Sequence, residues 1–281
     1  MKKSFFTGVL CAVFTLVGWT SVSWKCNVSA ATPSYVEAKA ECVMEVNSRR
    51  ILYEARGDLR LPMASTTKVL TAITVLELCQ DISEEVVIPQ EAVGIEGSSV
   101  YLKSGEELTV RALLYALMLR SANDAAAALA YSISGSIEDF SLLMNKKAEE
   151  LGLTDTNFEN PHGLDSKNHY TTATDLARLT AYALKNPIFK EITSTYKTVI
   201  DSSLQSRLLI NHNKLLSSYQ GCIGVKTGYT RKSGRSLVSA AERDGIMLIA
   251  VTINAPDDWK DHTRLLDYGF SLYQINNTTK I

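Results

Sequence analysis

The sequence predicts an α+β fold: an antiparallel sheet flanked by helices, with an all-helical region inserted at about 81–190. Three observations carry this reading. Strand-like segments bounded by turn residues stand near both ends of the chain. Helical periodicity dominates the middle. No internal repeat or low-complexity linker separates them. Composition agrees, because 46% hydrophobic and 21% charged residues among 281 exclude a disordered or collagenous chain. Lys and Arg total 29 against 30 Asp and Glu, so no basic excess points to nucleic acid and no acidic tail to a solvating role.

Residues 41–46 and 51–55 flank Asn47-Ser48-Arg49-Arg50 and read as a β-hairpin. Pro62 precedes a helix expected over 65–79. Its Val69, Leu70, Ala72, Ile73, Val75, Leu76 and Leu78 cover most of the circumference, which predicts a buried central helix. Residues 81–108 are mixed and punctuated by Gly94, Gly97 and Gly105. Helices follow over 110–120 and 123–134, broken at Ser121-Ala122, and over 137–151, ending at Gly152. The stretch 154–172 is loop-like around Asn160-Pro161-His162-Gly163. A helix over 175–185 stops before Pro187. Strands return over 223–227, 236–242 and 247–254, with Asp244-Gly245 as the hairpin turn between the last two. Asp257-Asp258 opens a closing helix to about Tyr273, with acids where the helix dipole favours them.

Residues 1–30 read differently. Lys2 and Lys3 precede an uncharged stretch over 5–24, and small residues follow at Val28, Ser29, Ala30 and Ala31. This describes a secretory signal peptide cut near Ala30 or Ala31, which leaves 31–281 as one domain outside the cytoplasmic membrane. The alternative is an uncut anchor, which would be the one membrane contact the sequence offers. Removing 1–30 takes Lys2, Lys3 and Lys25 and no acid, so the remainder is more acidic. Cys42, Cys79 and Cys222 remain; three cannot all pair and no C-x-x-C occurs, so neither a disulfide scaffold nor a zinc site is expected. Cys79 reads as a buried hydrophobe, and a Cys42–Cys222 bridge stays open. His162, His169, His212 and His262 form neither H-x-x-x-H nor H-E-x-x-H, which argues against a metal site.

Ser65-Thr66-Thr67-Lys68 places a hydroxyl and an amine three residues apart at a helix start, on one face and about 5–6 Å apart at Cβ. A serine is a weak nucleophile until a base takes its proton. A neighbouring lysine can do so once burial or a second cation depresses its pKa. Alone, the pattern reads equally as an N-capping serine and a solvated lysine. Two further triplets change the weighting: Ser121-Ala122-Asn123 at a break between helices, and Lys226-Thr227-Gly228 at the end of a strand. In this order and context the three resemble the penicilloyl-serine enzymes. From about Ala38 to Tyr273 the chain resembles the serine-type D-alanyl-D-alanine carboxypeptidases, the low-molecular-mass penicillin-binding proteins. Asn160-Pro161-His162-Gly163-Leu164-Asp165 and His169-Tyr170-Thr171-Thr172-Ala173 also look like that family rather than its β-lactamase cousins.

The resemblance implies a β-lactamase/transpeptidase-like fold and an acyl-serine mechanism with no metal or organic cofactor. Ser65 would attack the carbonyl between the last two D-alanines of a peptidoglycan stem peptide, and Lys68 would take its proton. Ser121 would relay a proton to the departing amine, and Asn123 would hold Lys68 and the peptide backbone. Lys226 and Thr227 would meet the terminal carboxylate, with Lys226 helping to keep Lys68 neutral. Gly228 would leave room for substrate along the strand. The N–H groups of Ser65 and Tyr229 would form an oxyanion hole, worth roughly 3–4 kcal/mol per donor. Penicillins would be covalent inhibitors. His212 stands where relatives often carry an arginine close to the substrate carboxylate. Many relatives continue into a β-rich domain and an amphipathic helix; this chain stops at Ile281, so neither is expected. The alternatives are a serine β-lactamase, for which Glu159 is the candidate water-activating acid, and a non-enzymatic penicillin-sensing module.

Overall fold

The computed structural model describes residue 33 and residues 37–278; the expected signal segment lies outside them. Strands β1 (Ala40–Glu45) and β2 (Ile51–Ala55) form the expected N-terminal hairpin. At the other end, β7 (Cys222–Thr230), β8 (Gly234–Arg243) and β9 (Ile246–Ile253) form a meander, with Asp244 and Gly245 both at positive φ between β8 and β9. The strands join in the order β2-β1-β9-β8-β7, all antiparallel, so the last strand of the chain's second half pairs with the first strand of its first half. That order leaves β7 on an edge.

Alternation along the strands divides the core in two. Met44, Val238, Ala240, Ile249 and Val251 face one side, where α1 (Lys68–Leu78) and α5 (Ala173–Ala183) pack. Val43, Leu237, Ala241, Leu248 and Ala250 face the other and meet Leu265, Leu266 and Phe270 of α8 (Asp258–Thr278). His262 of α8 is fully enclosed between Ser239 and Thr252, bonded at 2.5 and 2.9 Å, and so pins the helix to the sheet by its two ring nitrogens.

The inserted region holds α2 (Val110–Leu119), α3 (Asn123–Ser134) and α4 (Ile137–Glu150), preceded by a short hairpin of β3 (Glu85–Val87) and β4 (Glu107–Thr109). Lys68 to Val75 of α1 are buried on every face, as the all-round apolar pattern predicts. Corrections are local. Pro187 does not merely end a helix. It occupies the first turn of α6 (Pro187–Ser194), where a missing N–H costs nothing and Asn186 caps. A hairpin of β5 (Lys197–Asp201) and β6 (Ser206–Ile210) and the single turn α7 (Leu215–Ser218) follow unannounced. Cys79 is half-buried rather than buried, and Cys42, Cys79 and Cys222 are free thiols, so the open bridge is not made. Among the described residues no helix is long and apolar enough to cross a membrane, and no cluster of acidic, histidine and cysteine side chains is arranged to hold a metal ion.

Candidate active site

The helix start expected at Ser65 is a 3-10 turn, Ala64–Thr67, which runs into α1 at Lys68. The turn places Ser65, half-buried, above the fully buried Lys68, and Lys68 Nζ lies 3.0 Å from Ser65 Oγ. Two further acceptors hold the amine: Asn123 Oδ1 at 2.6 Å and the His162 carbonyl at 2.5 Å. Asn123 is itself fixed, because its Nδ2 donates to the Glu96 carbonyl at 2.6 Å and its backbone N–H to Ser98 O at 2.7 Å.

Burial pushes the Lys68 pKa well down, and the charge of Lys226 pushes it further; Asp124 opposes both weakly. Lys226 is also fully buried and falls to about 7 from burial alone. Both effects drive Lys68 toward its neutral form. A neutral Lys68 can accept the Ser65 proton, which is what nucleophilic attack requires.

Ser121 sits in the break between α2 and α3 at φ 59°, a left-handed conformation. Its Oγ is buried and has no hydrogen-bond partner in the protein. Ser65, Ser98 and Ser121, Thr227, Gly228 and Tyr229 of β7, and His212, Arg235, Asp258 and Trp259 line a crevice of about 260 Å³. The eight sequence-predicted site residues thus converge, with Lys68, Asn123 and Lys226 beneath the surface that the others form.

Two glycines make the convergence possible. Gly163, at φ 89°, brings its loop so close under the Ser65 turn that a Cβ there would stand 2.0 Å from the Ala64 carbonyl oxygen. Gly228 does the same from the strand: a Cβ would stand 3.2 Å from the Ser65 backbone nitrogen and from Met63 O. The sequence singled out the loop around Gly163 but gave no reason to assign the His162 carbonyl to Lys68. Ser98, Arg235, Asp258 and Trp259 were missed because no local pattern marks them. Buried Asp124 holds the Ser98 segment by accepting from Ser99 Oγ at 2.6 Å and from the Leu102 N–H at 3.0 Å. Arg207 of β6 grips the enclosed Glu106 carboxylate at 2.6 and 2.9 Å and the Val100 carbonyl at 2.9 Å, tying that segment to the β5–β6 hairpin.

The histidines stay neutral. Burial lowers His162 to about 3, His169 to about 4 and His212 to about 4. Glu159 does not line the crevice; it accepts the Asn168 N–H at 2.9 Å, and hydrogen bonds from Ser166 and Asn168 hold its pKa down. It is thus built into its own loop rather than aimed at a water near Ser65.

A hydroxyl with an adjacent buried amine, facing an open crevice beside an edge strand, can perform serine acyl transfer on an extended peptide laid along that strand. A family model for D-alanyl-D-alanine carboxypeptidases, peptidase S11, matches residues 27–257. The D-alanyl-D-alanine carboxypeptidase DacF of Bacillus subtilis is 36% identical over 248 residues, which cover 85% of this chain and 64% of DacF. That of Streptomyces strain K15 is 35% identical over 286 residues, covering 95% of this chain and 96% of its own. The crystal structure of the Streptomyces K15 DD-transpeptidase superposes with a TM-score of 0.80 at 32% identity, over 85% of this chain and 99% of that one. DacD of Francisella tularensis gives 0.80 at 28% identity, over 85% and 71%. The chain belongs to the D-alanyl-D-alanine carboxypeptidase family, peptidase S11.

Proposed function

We propose that the protein is a serine D,D-carboxypeptidase that removes the terminal D-alanine from peptidoglycan stem pentapeptides through an acyl-enzyme on Ser65, and that penicillins acylate the same serine. The hydrogen bond between Lys68 and Ser65, with the amine enclosed and its pKa depressed, carries this reading. Neutral Lys68 takes the hydroxyl proton as Oγ bonds to the penultimate D-alanine carbonyl carbon. The Ser65 and Tyr229 N–H groups receive the oxyanion. Ser121, whose hydroxyl has no other partner, passes a proton to the departing D-alanine amine. Asn123 keeps Lys68 in register, and burial, with a smaller contribution from Lys226, favours its neutral form. Gly228 lets the peptide lie against β7, and Thr227 offers its hydroxyl to the terminal carboxylate. Water then cleaves the ester, with Lys68 as the base for that step.

The same reading takes residues 1–30 as a cleaved secretory leader and 31–281 as the catalytic domain, acting on the outer face of the cytoplasmic membrane where stem peptides are found. An N-terminus of the cell-derived protein near Ala31 supports this; an intact Met1 on protein from the membrane fraction supports the uncut anchor.

Release of free D-alanine from diacetyl-Lys-D-Ala-D-Ala tests the function. Steady release, lost in Ser65→Ala together with covalent labelling by a fluorescent penicillin, is expected, with a fall in rate of at least about 10³-fold. Equal labelling of the folded variant removes Ser65 from the nucleophile role. Rapid turnover of a cephalosporin without D-alanine release moves the assignment to β-lactamase.

A further inference from the structure

The charge around the crevice leaves one question open within the proposed function: what holds the substrate's terminal carboxylate. Lys226 lies beneath the surface, is fully buried and titrates near neutrality. His212, the residue at the position expected for a carboxylate-binding cation, is neutral above about pH 4. Among the described residues that line the crevice, Arg235 alone carries permanent positive charge.

Its placement on β8 is specific. Tyr229 of β7 pairs with Arg235, and Thr227 pairs with Leu237, so Arg235 is the diagonal neighbour of Thr227 on the same face of the sheet. Such neighbours are about 7–8 Å apart at Cα, within reach of a long side chain. Arg235 is exposed, and no side-chain hydrogen bond or ion pair engages its guanidinium among the described residues. Asp258, at the first position of α8, stands near enough for the guanidinium to favour its ionised form, although burial raises its pKa overall and its Oδ1 has no hydrogen-bond partner. A guanidinium has five donors in a planar fork and can attract Asp258 while two of them meet an incoming carboxylate.

We propose that Arg235 is the carboxylate-docking residue of this enzyme, closing with the Thr227 hydroxyl on the C-terminal carboxylate of the substrate and so taking the role that His212 does not fill. The anion is then held on the α8 side of the sheet, while the scissile carbonyl faces Ser65 across Gly228. This explains why the strand following the Lys226-Thr227-Gly228 triplet presents an unpaired arginine to the crevice rather than to solvent alone.

The test rests on the proposed function and is arranged to separate the two. Wild type, Arg235→Gln and Arg235→Lys are compared on diacetyl-Lys-D-Ala-D-Ala and on its C-terminal carboxamide. Arg235→Gln is expected to lose about ten- to hundredfold in kcat/KM on the acid, mainly through KM, and to change little on the amide, because only the acid offers a charged partner. Arg235→Lys should recover part of the loss. A parallel fall on acid and amide, or an unchanged ratio between them, overturns the assignment. If wild type releases no D-alanine, the function reading fails instead. Arg235 is then judged by acylation with benzylpenicillin against its methyl ester, where the free acid's advantage must again collapse in Arg235→Gln or the proposal falls.

Discussion

Gly228 passes Ser65 so closely that a methyl group on it would stand 3.2 Å from the Ser65 backbone nitrogen, the atom proposed to donate to the oxyanion. The neighbours are backbone atoms of the 3-10 turn and the Ala64 side chain, not the free end of a flexible chain, so relief requires β7 or the turn to move. Gly228→Ala should therefore cost activity far more than stability. The expected result is a fall in penicillin acylation of about 10²-fold from displacement of the reacting groups, with the thermal midpoint lowered only modestly. Wild-type acylation in this variant would mean that the strand has slack the structure does not suggest.

The Lys68–Lys226 pair gives a pH prediction with a definite sign. Lys68 must be neutral to act, so acylation falls as pH drops through its depressed pKa. Lys226 contributes to that depression after burial. Lys226→Ala removes a positive charge, raises the Lys68 pKa and moves the acid limb of kcat/KM to higher pH. The alkaline side should change as well, since Lys226 loses its charge near pH 7 in the free enzyme. An acid limb that stays in place would show that burial alone sets Lys68.

Ser121 offers a separation of stability from activity. Its hydroxyl is buried with no partner, so deleting it removes an unsatisfied polar group rather than a hydrogen bond. Ser121→Ala should unfold within about 1 kcal/mol of wild type, or slightly above it, by urea denaturation. D-alanine release should nevertheless fall by about 10²-fold, the usual scale of a lost proton relay. A strongly destabilised variant would point to an ordered water bonded to this hydroxyl as part of the fold.

His262 predicts an acid-side loss of stability. Enclosed between Ser239 and Thr252, it is held neutral with a pKa of about 3 in the folded chain, whereas the unfolded chain binds a proton below about 6.5. Its contribution is complete above pH 6.5 and declines as pH falls toward 3, amounting to about 2–3 kcal/mol lost by pH 4.5. Glu41 and Asp261, raised to about 7 and about 6 by burial, act in the opposite sense, so the test is differential. His262→Gln, which keeps polar ends toward both hydroxyls, should start less stable at pH 7 but lose less than wild type on going to pH 4.5. Equal losses in the two proteins would exclude His262 as the titrating group.

Much of this was legible in the string. The all-round apolar pattern of α1, the Asp244-Gly245 turn and the break at Ser121-Ala122 are local: periodicity, positive φ and interrupted helix require no distant partner. The segment between α5 and β7 was not legible. In β5 and β6 only Ile200 and Leu209 are buried, so their pairing leaves a weak period-two signal, and Pro187 reads equally as a stop or a first-turn residue.

The sequence by itself determined which side chains are proposed for the chemistry: a hydroxyl and an amine one helical turn apart, a second serine at a helix break, and a lysine at a strand end. It also determined the alternation that splits the sheet into two apolar faces. Tertiary structure alone decided that the two lysines share one enclosed space, that a carbonyl from the His162 loop completes the hold on Lys68, and that Arg235 rather than His212 faces the crevice as a cation. The physical reason is that charge state depends on burial and on neighbours brought from distant parts of the chain. Neither is encoded in the spacing of residues along the sequence.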